Sequence, residues 1–250
     1  MKHENERVAL QAIEFWSTVC DCELDLDFEA EELSVVGQQP DRFSHKFALQ
    51  AVNDIIPVLL WLLTKKEDEE DEDEWTVSMA AGICLALFAN TAKDNVVGPV
   101  IPFVEQHIKS QDWRFREAAV MAFGTDSFPL SRCWRKIFIL THHYYSSAGS
   151  ILEGPSIKIL GPLTLQALPV LIEMMKDPVS SVKDTTAWTL GRVSNELHMA
   201  IDPQVHLGPL IAAVCGGLVE SGRVASTCAW VRVHSFLFLL FLVYLRIVGY

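Results

Sequence analysis

The sequence lacks the short motifs by which many enzymes are recognised. It has no GxGxxG or GxxxxGK[ST] phosphate-binding loop, no HExxH zinc motif and no GxSxG nucleophile turn. The cysteines show neither CxxC spacing nor the density of a disulfide scaffold, which indicates a reducing compartment. The adjacent pair His142-His143 has no recurring carboxylate nearby, so it does not predict a metal site. We therefore expect a protein that is not an enzyme and that has no metal or cofactor.

Basic residues are scarce in this chain. It has 20 Lys and Arg against 32 Asp and Glu, and its formal net charge is -12. Such a field attracts basic partners and repels nucleic acid, so we expect no binding to DNA or RNA. Residues 1–7 contain no apolar stretch of the kind that marks a secretory signal.

The most hydrophobic segment is the C-terminal tail, residues 231–250. Only thirteen residues lie between Arg232 and Arg246. As a helix they span about 20 Å, whereas the hydrocarbon core of a bilayer is about 30 Å thick. We therefore expect no membrane span, and a membrane-tethered form remains an alternative.

A repeat of about 40 residues organises the rest of the chain. Four apolar helical segments carry Pro57, Pro102, Pro169 and Pro209, and each segment is predicted to be the first helix of a pair with a proline inside it. The spacings are 45, 67 and 40 residues. Three of the prolines are followed fourteen residues later by a basic residue, namely Arg116, Lys183 and Arg223.

Each of these basic residues opens a predicted second helix. Two such helices are Trp113–Gly124 and Val182–Val193, in which small and apolar residues recur at helical spacing. Asp112 and the pair Asp177-Pro178 precede them as expected cap and first-turn residues. Near the start of the sequence, Arg7–Cys20 is predicted to be the second helix of a pair whose first helix is missing.

The long spacing of 67 residues is explained by a segment of different composition. Residues 125–149 are rich in aromatic and basic side chains, and removing them restores a spacing of 42. We predict an all-α, right-handed α-solenoid of HEAT repeats, an armadillo-like superhelix. The expected organisation is 1–124 as HEAT repeats with an acidic loop at 67–74, 125–149 as an atypical insertion, 150–230 as HEAT repeats, and 231–250 as an atypical hydrophobic tail.

Four long strings resemble one known family. KHENERVALQAIEFWSTVC, VIPFVEQHIKSQDWRFREAAVMAFG, SILEGP and KDPVSSVKDTTAWTLGRV are similar to the central HEAT repeats of the importin-beta (karyopherin-beta) nuclear transport receptors. The segments 125–149 and 231–250 depart from the family pattern, and we interpret them as translated non-coding sequence. The alternatives are a general HEAT-repeat scaffold and a non-functional truncated product.

The resemblance implies a function in protein import into the nucleus. Family members bind an importin-alpha-type adaptor or another basic nuclear localisation segment, the Ran GTPase, and phenylalanine-glycine nucleoporins, and they move between cytoplasm and nucleus through the nuclear pore. A fragment of such a receptor would have the same classes of partner. We therefore expect basic segments, Ran-GTP and pore repeats as partners of this chain.

The candidate partner-binding residues follow from the acidic run and from the family resemblance. An acidic run of this density repels itself and stays solvated, and in the family such a loop contacts Ran and basic adaptor segments. Trp188 and Asp184 belong to a second helix of the kind that lines the concave surface in the family, although a core role for this tryptophan is the alternative. The candidate residues are Glu67, Asp68, Glu69, Glu70, Asp71, Glu72, Asp73, Glu74, Trp75, Asp184 and Trp188.

Overall fold

The computed structural model describes residues 1–66, 75–124, 152, 154–198, 201–202, 204–220 and 222–231. Within these ranges the chain is helical and contains no strand. The predicted acidic loop 67–74 and insertion 125–149 lie outside the described residues, as does all of the predicted tail 231–250 except Val231. The α-helices are α1 (Glu6–Val35), α2 (Phe47–Leu63), α3 (Val77–Ala92), α4 (Val97–His107), α5 (Trp113–Gly124), α6 (Ile157–Met174), α7 (Ser180–Glu196), α8 (Leu207–Gly217) and α9 (Gly222–Val231).

The helices pack in consecutive pairs that form two layers. Helix α2 packs on α3, α4 on α5, α6 on α7, and α8 on α9. The first helices of these pairs, α2, α4, α6 and α8, make up the first-helix layer. The second-helix layer contains α1, α3, α5, α7 and α9, in which α1 packs on α3, and α7 packs between α5 and α9. The prediction of an all-α solenoid of helical repeats is confirmed.

The prolines lie in the first helices, but not all in the same way. Pro57, Pro102 and Pro169 lie inside α2, α4 and α6, as predicted. Pro209 is the third residue of α8. In the first turn of a helix the amide of that position has no intrahelical partner, so a proline there breaks no helical hydrogen bond. The prediction that Pro209 lies in a helix interior was wrong.

Helix α1 is much longer than the predicted Arg7–Cys20. It begins after Asn5, whose side chain accepts a hydrogen bond from the Arg7 amide, and it continues to Val35. The chain turns away from the helix axis at Gly37, which has a φ of 73°. The amides of Gly37 and Gln38 donate to the carbonyls of Ser34 and Leu33, a Schellman motif that requires a left-handed residue and therefore favours glycine.

The long α1 supplies the N-terminal cap of the next helix. At the N-cap position of α2 stands Lys46, which has a φ of 58° and whose side chain makes no capping hydrogen bond. The buried carboxylate of Glu23 instead accepts from the amides of Phe47, at 2.7 Å, and Ala48, at 3.1 Å. A carboxylate at this end of a helix also interacts favourably with the helix dipole. The start of α2 is therefore fixed by a side chain of α1.

Ion pairs explain the recurring basic residue fourteen positions after the proline. Arg116 of α5 forms a two-point pair with Asp177, with Nε to Oδ2 at 2.7 Å and Nη2 to Oδ1 at 2.9 Å. Lys183 pairs with Glu220, and Arg223 pairs with Asp184. Each pair joins one helix pair to its neighbour. Arg116 and Lys183 make the same contact with the following helix pair, whereas Arg223 binds the preceding one.

Of the two predicted aspartate caps, one is confirmed. Asp112 accepts a hydrogen bond from the Arg114 amide at the start of α5. Helix α7 begins at Ser180, two residues before the predicted Val182, and its N-cap residue is Val179. Asp177 therefore does not cap α7. Its carboxylate accepts from the Val179 amide and binds Arg116.

Helix α6 is long and apolar enough to cross a membrane by length and composition alone. In the structure it packs on α7 as the first helix of its pair. Leu160, Leu168 and Leu171 are fully buried on the packed side, and Thr164 lies among them. The packed side of α6 thus belongs to the solenoid core, although only 28% of its apolar span is buried.

The cysteines of the described residues differ sharply in exposure, and we expect them to differ in reactivity. Burial raises the pKa of Cys84 to about 12 and that of Cys228 to about 11, and it also raises the pKa of Cys20, whereas Cys22 and Cys215 are exposed. The reactive species is the thiolate, so at pH 8 the three buried thiols remain protonated and shielded. Iodoacetamide should modify Cys22 and Cys215 first in the folded protein, as read by peptide mass spectrometry. Equal rates at Cys84 and Cys22 would contradict the packing of α1 on α3.

Candidate functional site

The main feature of the second-helix layer is a pair of tryptophans in ring contact. Trp188 lies on α7 and Trp230 on the neighbouring α9, with ring centroids 4.6 Å apart and ring planes at 44°. Both side chains are half-buried. Partly exposed indole faces attract lysine and arginine side chains through cation-π contact and through packing of their aliphatic stems. The pair therefore forms an aromatic surface suited to basic side chains.

Asp184 lies one helical turn before Trp188, but its carboxylate is used inside the solenoid. The side chain is buried, and its two oxygens accept from Arg223 Nε, at 2.8 Å, and Thr227 Oγ1, at 2.6 Å. Both donors belong to α9, the helix that carries Trp230. These contacts hold α9 against α7 and so keep the two rings together. We therefore assign Asp184 to positioning the tryptophan pair, and leave it out of the proposed partner-binding surface.

Trp75 lies at the other end of the predicted site. Its side chain is 52% exposed, and it precedes Thr76, whose hydroxyl caps α3 by accepting from the Met79 amide at 3.3 Å. The cap fixes the backbone directly after Trp75. The acidic residues 67–74 themselves lie outside the described residues, so their role remains a prediction.

The first-helix layer also carries an exposed tryptophan, Trp61. Trp61 of α2 is 38% exposed, and Lys65 Nζ lies 4.2 Å from its ring centroid. Lys2 Nζ lies 5.3 Å from the same ring. Two lysines of the chain therefore lie near the ring of Trp61, which belongs to the first-helix layer.

Trp230 was not among the residues predicted from the sequence, although a signal for it exists. It follows Trp188 by 42 residues, close to the spacing of 40 between Pro169 and Pro209. Equivalent positions of adjacent repeats lie side by side in a solenoid. Two tryptophans that lie one repeat apart on second helices are therefore predicted to be in contact. Among the described residues, no group of three or more His, Cys, Asp or Glu side chains is placed to hold a metal ion.

Comparison with known proteins identifies the solenoid. The family of the HEAT-like repeat matches residues 146–193. Importin subunit beta-1 of Schizosaccharomyces pombe is 46% identical over 230 residues, which cover 92% of this chain and 24% of that protein. The chain therefore spans about a quarter of the length of this relative.

Solved structures agree with this relationship. A Kap95p structure, whose subject is the binding of Kap95p to RanGDP, matches with a TM-score of 0.79 and 37% identity, covering 94% of this chain and 24% of that one. The complex of Kap95 with Nup1 matches with a TM-score of 0.79 and 38% identity at the same coverage. Over the stretch that it shares with these relatives, the chain belongs to the importin-beta family of HEAT-repeat proteins.

Proposed function

We propose that this chain is a nuclear import receptor segment that binds basic cargo-adaptor segments along its second-helix layer. The contact between the rings of Trp188 and Trp230 is the observation that carries the proposal. A basic segment laid across α7 and α9 would place lysine or arginine stems against the two rings. The importin-alpha-type adaptor remains the proposed source of that segment, because the family resemblance implies it.

Charge supports a basic partner. The net charge of -12 draws a cationic segment toward the chain, and the acidic run 67–74 would concentrate that attraction next to Trp75. Contacts of this kind raise the association rate more than they slow dissociation, and salt screens them. In this proposal the acidic run captures the segment and the tryptophans retain it.

Solved structures of related proteins suggest two further partners. Kap95 is described in complex with Nup1, and Kap95p binding is described as acting on RanGDP. We propose a Ran GTPase and nucleoporins as partners here as well, with the protein present in the cytoplasm, the nucleus and the nuclear pore. Binding in such solenoids is shared among many repeats, so a segment covering a quarter of the relatives should bind each partner more weakly than they do.

Replacing either tryptophan of this pair tests the proposal. Trp188→Ala and Trp230→Ala should each weaken binding of a fluorescent lysine- and arginine-rich peptide by roughly tenfold, because aromatic side chains at the centre of an interface carry much of the binding free energy. Fluorescence anisotropy at moderate salt measures the Kd. Trp61→Ala is the matched control, since it removes an exposed tryptophan from the first-helix layer, and its Kd should stay unchanged.

Two results would count against the proposal. One is that Trp61→Ala weakens binding as much as Trp188→Ala. The peptide would then not be specific for the second-helix layer. The other concerns the acidic run: replacing the residues of 67–74 by Asn and Gln should lower both the affinity and its dependence on salt. An unchanged salt dependence would remove the acidic run from the site.

A further inference from the structure

Among the described helices of the second-helix layer, direct contact is sparse between α3 and α5, and we call this junction the gap. Neighbouring helices in this layer pack along each other for α1 and α3, for α5 and α7, and for α7 and α9, whereas α3 and α5 touch at few positions. Stability in a solenoid comes largely from contacts between nearest neighbours. The proposed binding surface crosses this gap, since Trp75 precedes α3 and Trp188 lies on α7.

A largely buried ion pair joins the α2–α3 pair to α5 across this gap. Lys66, which follows α2, places its Nζ 2.7 Å from Oε1 of Glu117 on α5, and the two side chains are only 16% and 4% exposed. Arg114 of α5 also donates from Nε to the backbone carbonyl of Lys66 at 2.8 Å. Both the side chain and the backbone of Lys66 are thus held by α5.

The bridge continues to α7. Thr185 Oγ1 donates to the same Glu117 oxygen at 3.1 Å, and Thr185 lies three residues before Trp188. Oε2 of Glu117 is buried and has no hydrogen-bond partner within the described part of the chain. Because a buried carboxylate that loses its cation is strongly destabilised, Glu117 depends on Lys66.

We propose that the Lys66–Glu117 pair is a latch that positions the two sides of the binding surface. It holds the α2–α3 pair, with Trp75, at a fixed distance and angle from α7, with Trp188. A basic segment that contacts both tryptophans then binds a preorganised surface and pays less to order it. The consequence for affinity rests on the proposed function, whereas the mechanical role of the latch does not.

The change Lys66→Met gives a test in which electrostatics and positioning predict opposite signs. The change removes a positive charge beside an acidic segment, so long-range electrostatics alone would make a basic peptide bind more tightly. Loss of the latch should instead weaken binding by roughly three- to tenfold, as expected for coupled neighbours. The Kd is measured by anisotropy, well below the melting temperature of the variant. Binding that is unchanged or tighter would overturn the proposal.

Two further variants complete the experiment. Lys176→Met removes a positive charge from the exposed pair of Lys176 with Glu173, whose side chains are 73% and 70% exposed, and it sets the purely electrostatic baseline. Lys66→Arg keeps the charge and can donate to both oxygens of Glu117, so it should bind the peptide as tightly as the unaltered protein. Weak binding by Lys66→Arg together with normal binding by Lys66→Met would also contradict the latch.

Hydrogen exchange without any partner separates the latch from the proposed function. Amides at the start of α5 and at the end of α2 should exchange faster in Lys66→Met than in Lys176→Met, because the bridge no longer holds them. Unchanged exchange would overturn the latch whatever the peptide does. If the unaltered protein does not bind the basic peptide while exchange responds as expected, the proposed function fails and the latch stands.

Discussion

Replacing Asp177 by alanine should lower the free energy of unfolding by about 1.5–3 kcal/mol, because it leaves a half-buried arginine without its two charge-assisted hydrogen bonds. The side chains of Asp177 and Arg116 are 7% and 14% exposed, so water replaces the lost contact only in part. The paired carboxylate also raises the pKa of Arg116, which keeps the charge in place at any accessible pH. Urea denaturation followed by circular dichroism measures the change.

The effect should be specific to the junction between repeats. Arg116 also donates from Nη1 to the carbonyls of Ser110 and Gln111, so after the substitution it stays attached to its own repeat and loses its contact with the next. The control is Glu173→Ala, which removes an exposed ion pair and should change stability by about 0.5 kcal/mol or less. A similar loss in both variants would show that Asp177 does not join the repeats.

Replacing Gly154 by alanine should cost about 3 kcal/mol through overpacking. A Cβ atom on Gly154 would collide with the backbone carbonyl of Ala89 on α3, and a backbone cannot move aside as a flexible side chain can. The residues from Gly154 to Ser156, the connector that leads into α6, would have to shift. The contacts of the Ser156 amide and hydroxyl with the Asp94 carboxylate would then be strained. Thermal and urea unfolding both report the loss.

Gly98→Ala is the matched control for this glycine. A Cβ atom on Gly98, the second residue of α4, meets nothing within 4 Å among the described residues. Since alanine restricts the unfolded chain more than glycine does, this change should leave stability unchanged or raise it by about 0.5–1 kcal/mol. If Gly154→Ala is as stable as Gly98→Ala, the connector does not lie against α3 as described.

The repeat architecture could be predicted because it depends on local pattern. The start of α5 matches the prediction, since Asp112 caps its first turn and apolar residues follow at helical spacing. The length of α1 was missed because residues 21–32 alternate acidic and apolar side chains without a helical stripe. Only the Schellman motif at Gly37 ends that helix, and a single glycine is weak evidence in a sequence.

Long-range contacts could not be predicted in the same way. The offset of Arg116 from its proline indicated a recurring role, but its partner Asp177 lies 61 residues further along the chain. Asp184 was predicted to meet a partner protein because it is acidic and shares a helix with Trp188. In the structure its carboxylate holds α9, and contact with a partner protein stays a prediction. The sequence pattern thus separates buried from exposed charge poorly wherever a neighbouring repeat supplies the counter-charge.

The cap that Glu23 provides for α2 has a consequence for how the solenoid folds. The amides of Phe47 and Ala48 find their acceptor only when α1 is in place, 24 residues earlier in the chain. Without α1 these amides are left to water and α2 loses a cap worth about 1 kcal/mol, so we expect the folding of α2 to be coupled to that of α1. We therefore expect the trio α1–α2–α3, in which α1 packs on α3 as well, to open and close as one unit.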